Sequence, residues 1–373
     1  MERSRVAYCD SNDSAYAIEQ IVNELKTNDE GKSPKLILFS ADYLDFSWFS
    51  RNLSAAFPNA TVIGMSTYVV FSNKGCSKSA VSAMALYSGI ECKAGIILDI
   101  SKNPMKNRSE VENALASFDD TKNMCCIEFI SAFSSGEELV LDTLKCVLEP
   151  KKIPVFGGTA GADTAIKSSF VSLNGIIYNE ACVFVLVKNL FGRIGIFREN
   201  MFKPTEHFFT ATDVDCDERT VYEYDYRPAA EVIAECLAVP VDKVEKYTSM
   251  HPVGRLESDN IYITENNTVF PDGRISYFAR IYNYTKLVLL EPDDVMKVWD
   301  KTESNVKATI SKPSFSIVIN CLSRSRYFED EGILYHFTDK LKLAYGKYLG
   351  FSGYGEQAEF EHLNQTMLIA VFE

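Results

Sequence analysis

Chemistry-capable residues gather in three stretches of this 373-residue chain. Gly157-Gly158-Thr159-Ala160-Gly161-Ala162-Asp163 follows an apolar segment, 154–156, that reads as a short strand. Glycines packed this closely let backbone N–H groups approach a ligand or take φ > 0, which could cradle a carboxylate or phosphate. No Gly-Lys-Ser/Thr follows, so this is not a P-loop, and the spacing is not that of a dinucleotide fold. The plain alternative is a tight turn with close backbone packing.

Gly353-Tyr354-Gly355-Glu356 lies just ahead of His362-Leu363-Asn364-Gln365-Thr366. A carboxylate, an imidazole and an amide so close together could do acid–base work or hold an amine. Alternatively the loop turns on its two glycines, with His362 and Asn364 bonded to backbone. Asn320-Cys321-Leu322-Ser323-Arg324 closes an apolar run, 315–319, that reads as a strand. Residues just past a strand's carboxyl end often line the crevice of an α/β sheet. Arg324 there could grip a carboxylate with two parallel hydrogen bonds, or sit on the surface. His251-Pro252 follows a run, 245–250, read as a strand, and the proline favours extended backbone before it.

Other chemistries find no footing. There is no Gly-x-Ser-x-Gly, no His-Glu-x-x-His and no Cys-x-x-Cys. The histidines, at 207, 251, 336 and 362, are too dispersed for a metal site. Adjacent Cys125 and Cys126 would point to opposite faces of a strand. Scattered cysteines of this kind suit a reduced compartment.

These residues need a scaffold, and the sequence reads as α/β. The apolar runs 35–40, 61–66 and 124–130 alternate with helix-like segments 43–57, 108–118 and 137–148, as in layered α/β domains. The segment 80–87 alternates like a half-buried strand. Asn174-Gly175 and Asp272-Gly273 sit between strand-like runs and read as hairpin tips. The expected organisation is an N-terminal helix and loop, 1–33, then a domain 34–225 and a domain 226–373, each with mixed sheets flanked by helices. No short-period repeat is visible.

Composition narrows the partners. Lys plus Arg is 38 and Asp plus Glu is 51, a net charge of −13. An acidic chain lacks the basic stripe that nucleic acid or an anionic membrane would want. The apolar run 181–187 is far short of a bilayer span, and the first residues carry no signal-peptide pattern, so a cytoplasmic location is expected.

Together these motifs resemble the FIST family, named for F-box and intracellular signal transduction proteins. Its N-terminal part resembles Leu36-Ile37-Leu38-Phe39-Ser40-Ala41, Phe57-Pro58-Asn59-Ala60-Thr61-Val62-Ile63-Gly64-Met65-Ser66-Thr67 and Gly157-Gly158-Thr159-Ala160-Gly161. Its C-terminal part resembles His251-Pro252, Asp272-Gly273-Arg274-Ile275, Asn320-Cys321-Leu322-Ser323-Arg324 and the closing Gly353–His362–Thr366 block. After Ser66-Thr67 this chain continues Tyr68-Val69-Val70 where the family turns toward Gly and Glu, and it has Gly-Ala-Asp163 where Gly-Asp is usual.

The resemblance implies sensing rather than catalysis. Family members are proposed to be ligand-binding input modules that work with histidine-kinase, cyclic-dinucleotide or chemotaxis outputs. The chain stops at Glu373, where the C-terminal part of the family ends, so the expected output is a partner protein or a further domain. An amino acid fits the chemistry: Arg324 and the Gly157, Gly158 and Gly161 amides for its carboxylate, Glu356 for its ammonium. Ser66, Thr67, His362 and Asn364 complete the expected ligand-binding set. No cofactor is expected in that account. The alternative is a haem-binding sensor of nitric oxide, with His251 or His362 as axial ligand, although no haem-attachment motif occurs.

Overall fold

The computed structural model describes residues 3–26, 31–162, 165–258 and 260–373. Asp163 and part of the expected loop 27–33 lie outside the described residues. The chain is α/β, with mixed and antiparallel sheets flanked by helices. Its compact units interleave along the sequence. The first comprises 1–198, 302–362 and 367–373; the second comprises 199–301 and 363–366.

Among the described residues the first unit holds three six-stranded sheets built to one plan. Each is centred on a parallel pair joined through helix: Leu36–Ala41 with Thr61–Ser66, Met124–Ile130 with Val155–Thr159, and Phe315–Cys321 with Tyr348–Gly353. An antiparallel strand flanks the first member of each pair: Ala80–Leu86, Ala181–Asn189 and Thr366–Phe372 respectively. A short hairpin flanks the second member, and it comes from another repeat. The hairpin after Thr61–Ser66, Val70–Ser72 with Gly75–Ser77, pairs with Tyr348–Gly353. The hairpin after Val155–Thr159, Val171–Leu173 with Ile176–Tyr178, pairs with Thr61–Ser66. The strand Gly355–Ala358, which follows Tyr348–Gly353, pairs with Val155–Thr159. The exchange is cyclic, so the sheets lock one another.

Helices cover the outer faces. Ala17, Ile18, Ile21 and Leu25 recur at helical spacing on Ser14–Lys26 and pack with Phe46, Phe49 and Leu53 of Phe46–Ala56 on the first sheet. Val140, Leu141, Leu144 and Leu148 of Glu137–Leu148 do the same on the second sheet. Phe328 and Phe337, on Leu322–Asp330 and Leu334–Tyr345, pack with tilted rings, centroids 4.9 Å apart, beside the third.

The second unit carries an eight-stranded antiparallel assembly in which the long strand Phe202–Asp215 pairs with Lys286–Pro292 and Thr220–Tyr224. The helix Ala229–Leu237 closes its core over Tyr224, Ile275 and Tyr277.

Several expectations change. The first 33 residues hold a strand, Ser4–Asp10, besides the helix. That strand pairs with Ala80–Leu86, which is buried at every position rather than half-buried, its Val81, Ala83 and Ala85 packed under the helix Ser14–Lys26. The expected strand 245–250 is instead a helical turn, Glu245–Thr248, because Val244 and Thr248, four apart, are the buried positions. Asn174-Gly175 does tip a two-residue hairpin, with φ of 50° and 83°. Asp272-Gly273 lies in the loop joining Asn266–Val269 to its partner Ile275–Tyr277.

Candidate functional site

Family-like motifs from the first unit converge where the second parallel strand of each repeat ends. The glycine run is strand there, not turn: Gly157, Gly158 and Thr159 belong to Val155–Thr159, sandwiched between two partner strands. Their glycine character serves close packing. A Cβ on Gly157 would meet Glu128 Oε1 at 2.1 Å and the Glu128 carbonyl oxygen at 2.3 Å; one on Gly158 would meet Ile319 at 2.7 Å. Gly161, past the strand end, would meet the Ser352 carbonyl at 2.5 Å.

Three backbone hydrogen bonds join the strand ends in a ring. Gly161 N–H donates to the Ser66 carbonyl at 2.8 Å, Tyr68 N–H to Ser352 at 3.0 Å, and Tyr354 N–H to Thr159 at 2.9 Å. Ser66, Thr159 and Ser352 occupy the same place in the three repeats, opposite Ala41, Ile130 and Asn320. Each follows a glycine two residues earlier, at 64, 157 and 350. This Gly-x-Ser/Thr recurrence was the available sequence signal for Thr159 and Ser352, which motif reading passed over.

A buried polar network grows from the ring. Thr67 Oγ1 accepts from Ser352 N–H at 2.7 Å. The Ser352 and Ser325 hydroxyls lie 2.8 Å apart, and Asn320 Nδ2 donates to Ser325 Oγ at 2.9 Å. Arg324 Nε donates to Asn320 Oδ1 at 3.0 Å, and its guanidinium lies over the Phe328 ring at 5.4 Å. Gln357 Nε2 lies 2.9 Å from Thr159 Oγ1 and 2.8 Å from His362 Nδ1. Glu356 stands opposite Gly158 in the neighbouring strand. Arg324 and Glu356 are both wholly removed from solvent.

Thus the first unit gathers Ser66, Thr67, Gly157, Gly158, Gly161, Arg324, Glu356 and His362. Asn364 belongs to the second unit, where its Oδ1 accepts from Glu265 N–H at 3.2 Å. His251 is also there, its Nδ1 3.1 Å from the Leu290 carbonyl.

Sequence reading also missed Glu128, a fully buried carboxyl on the second sheet. Burial pushes its pKa far above the usual range; the Cys182 thiol, 3.8 Å from Oε2, pulls it down, and Glu137 pushes it up. The corresponding position of the first repeat, opposite Gly64, holds Phe39. Among the described residues no group of three His, Cys, Asp or Glu side chains could hold a metal ion, and no helix is long and apolar enough to cross a membrane.

The family model for the FIST N domain matches residues 35–227, just over half of the chain. An uncharacterised protein of Methanocaldococcus jannaschii is 25% identical over 228 residues, 56% of this chain and 43% of that protein. The chain thus spans less than half the length of that curated relative. A solved structure described as cyanuric acid hydrolase covers 100% of this chain and 99% of its own at 8% identity, with a TM-score of only 0.36, too low to carry any argument. The chain belongs to the FIST family, whose domains are small-molecule-sensing modules of signal transduction.

Proposed function

We propose that this chain is a signal-input module whose ligand is an amino acid or similar small polar molecule bearing a carboxylate and an ammonium group. The observation that carries the reading is the complete burial of Arg324 and Glu356 in one unit, Arg324 bonded to Asn320 and Glu356 on the strand opposite Gly158. Taking a charge out of water costs several kcal/mol, and apolar residues of similar volume usually make an equally stable core. Residues of both charges in such a place suit a ligand of both charges. Arg324 would take the carboxylate and Glu356 the ammonium, while the neutral groups fix orientation.

In the free protein these groups are held by neighbours such as Asn320. Binding would therefore exchange internal hydrogen bonds for ligand ones and shift the unit between two arrangements. That shift is what an output of the histidine-kinase, cyclic-dinucleotide or chemotaxis type would read.

A thermal-shift screen against amino acids, polyamines and haem tests this. A ligand at about 100 times its dissociation constant adds roughly 2.7 kcal/mol of stability. The reading expects stabilisation by at least one amino acid. Stabilisation by haem alone, with a Soret band, would replace it with the gas-sensing account.

A further inference from the structure

A second hollow in the first unit shares no residue with the Arg324 network. It has a volume of about 440 Å³ and opens beyond the carboxyl ends of Ile90–Leu98 and Met124–Ile130 and the start of Ala181–Asn189. Ser101, Phe133, Ser134, Lys167, Asn179 and Glu180 line it. Crevices at such strand ends are where α/β sheets take ligands.

Its walls are pinned from beneath by two buried hydroxyls. Ser131 Oγ accepts from Ala181 N–H at 2.9 Å and donates to the Ala181 carbonyl at 3.1 Å, fastening the 131–134 wall to the 179–181 wall. Ser169 Oγ accepts from Ala132 N–H at 2.7 Å, fastening the third wall, 167–169, to the first. Ser101 Oγ donates to Glu180, which fixes that carboxylate at the rim. A hollow held this way needs little ordering when a ligand arrives.

Phe133 is the odd residue. Its backbone has φ of 69°, and Ser135 follows at 50°, a conformation that non-glycine side chains avoid. The effect is to hold an aromatic ring 55% exposed at the hollow, set edge-on against Tyr354 at 5.1 Å. An exposed ring gains nothing for the core, but it offers a flat apolar face. Among the described lining residues stand hydroxyls, an amide, one ammonium and one carboxylate, so donors and acceptors are mixed.

We propose that this hollow binds a neutral polyhydroxylated ring, a monosaccharide or cyclic polyol. The C–H face of such a ring stacks on Phe133, and its hydroxyls bond the Ser134, Asn179, Lys167 and Glu180 side chains. A charged ligand would gain less, because Lys167 and Glu180 are solvent-exposed and their attraction is screened.

The test is saturation-transfer NMR on the whole chain with D-glucose, D-galactose, D-mannose and myo-inositol, glycine and glutamate serving as controls. The proposal expects transfer to the ring C–H protons of at least one of the four. It also expects an affinity loss of about tenfold or more in Phe133→Leu, which keeps apolar bulk and discards the flat face. Arg324→Lys should bind the same sugar unchanged, which separates this site from the proposed sensing site. No transfer from any of the four, equal binding by Phe133→Leu, or transfer to the amino acids with equal sensitivity to Phe133 would overturn it.

Discussion

Ser66 and Gly161 hold each other twice: the Gly161 amide donates to the Ser66 carbonyl at 2.8 Å, and the Ser66 hydroxyl donates to the Gly161 carbonyl at 2.8 Å. Two motifs nearly a hundred residues apart in sequence are thereby one feature in space, and the Ser66 hydroxyl also accepts from Phe170 N–H at 3.0 Å. The ring formed with Tyr68, Ser352, Tyr354 and Thr159 is the junction of the three repeats. The proposed sensing residues stand on it.

Ser66→Ala removes that hydroxyl and strands two backbone groups in the interior. A loss of about 1–3 kcal/mol in unfolding free energy is expected, measured by urea denaturation at constant slope. A variant as stable as the parent would show that the Ser66 hydroxyl adds nothing to the bonds between Gly161, Phe170 and this strand end.

Gly157→Ala should be more severe. The added methyl would overlap Glu128 Oε1 and the Glu128 carbonyl oxygen, and strands on both sides prevent retreat. Overpacking of this kind costs about 1–3 kcal/mol or more. Because the backbone oxygen is part of the clash, the second change Glu128→Ala should not restore stability. Full rescue in the double variant, by the same denaturation measurement, would contradict the packing account.

Glu128 gives a pH signature. Its folded pKa is raised above the ordinary 4.5, chiefly by burial. The folded state therefore keeps a proton that the unfolded chain releases. The group's contribution is fully present below about pH 4.5 and is lost as pH rises toward the folded value, by up to about 1.4 kcal/mol per pH unit. Glu128→Gln keeps the shape and cannot ionise. Its melting temperature should therefore exceed the parent's more at pH 8 than at pH 5. Parallel melting curves across that range would mean that Glu128 is already charged in the fold.

Much of the scaffold could be read directly from residue types. Leu36–Ala41, Met124–Ile130 and Phe315–Cys321 are predominantly apolar and buried at every position, as strands covered on both faces are. Asn174-Gly175 announced its hairpin because both residues accept positive φ. The glycine run was harder. Seen alone, Gly157-Gly158 looks like a turn, since the side chains that require glycine there, Glu128 and Ile319, are distant in sequence. The hairpin exchange was hidden for the same reason: Val70–Ser72 carries no mark that its partner is Tyr348–Gly353. Arg324 and Glu356 were recognised by type, but their complete burial is a tertiary fact. Asn364 shows the limit of proximity in sequence, lying two residues from His362 yet in the other unit.

The central claim is that Arg324 serves a ligand rather than only its neighbours Asn320 and Phe328. Calorimetric titration of the parent and of Arg324→Lys with the amino acid that best stabilises the parent tests it most directly, with melting curves of both proteins. Lysine keeps the charge and loses the fork that grips a carboxylate. The account predicts an affinity loss of about 10- to 150-fold, the equivalent of roughly 1.5–3 kcal/mol. Unchanged affinity together with a lowered melting temperature would contradict it.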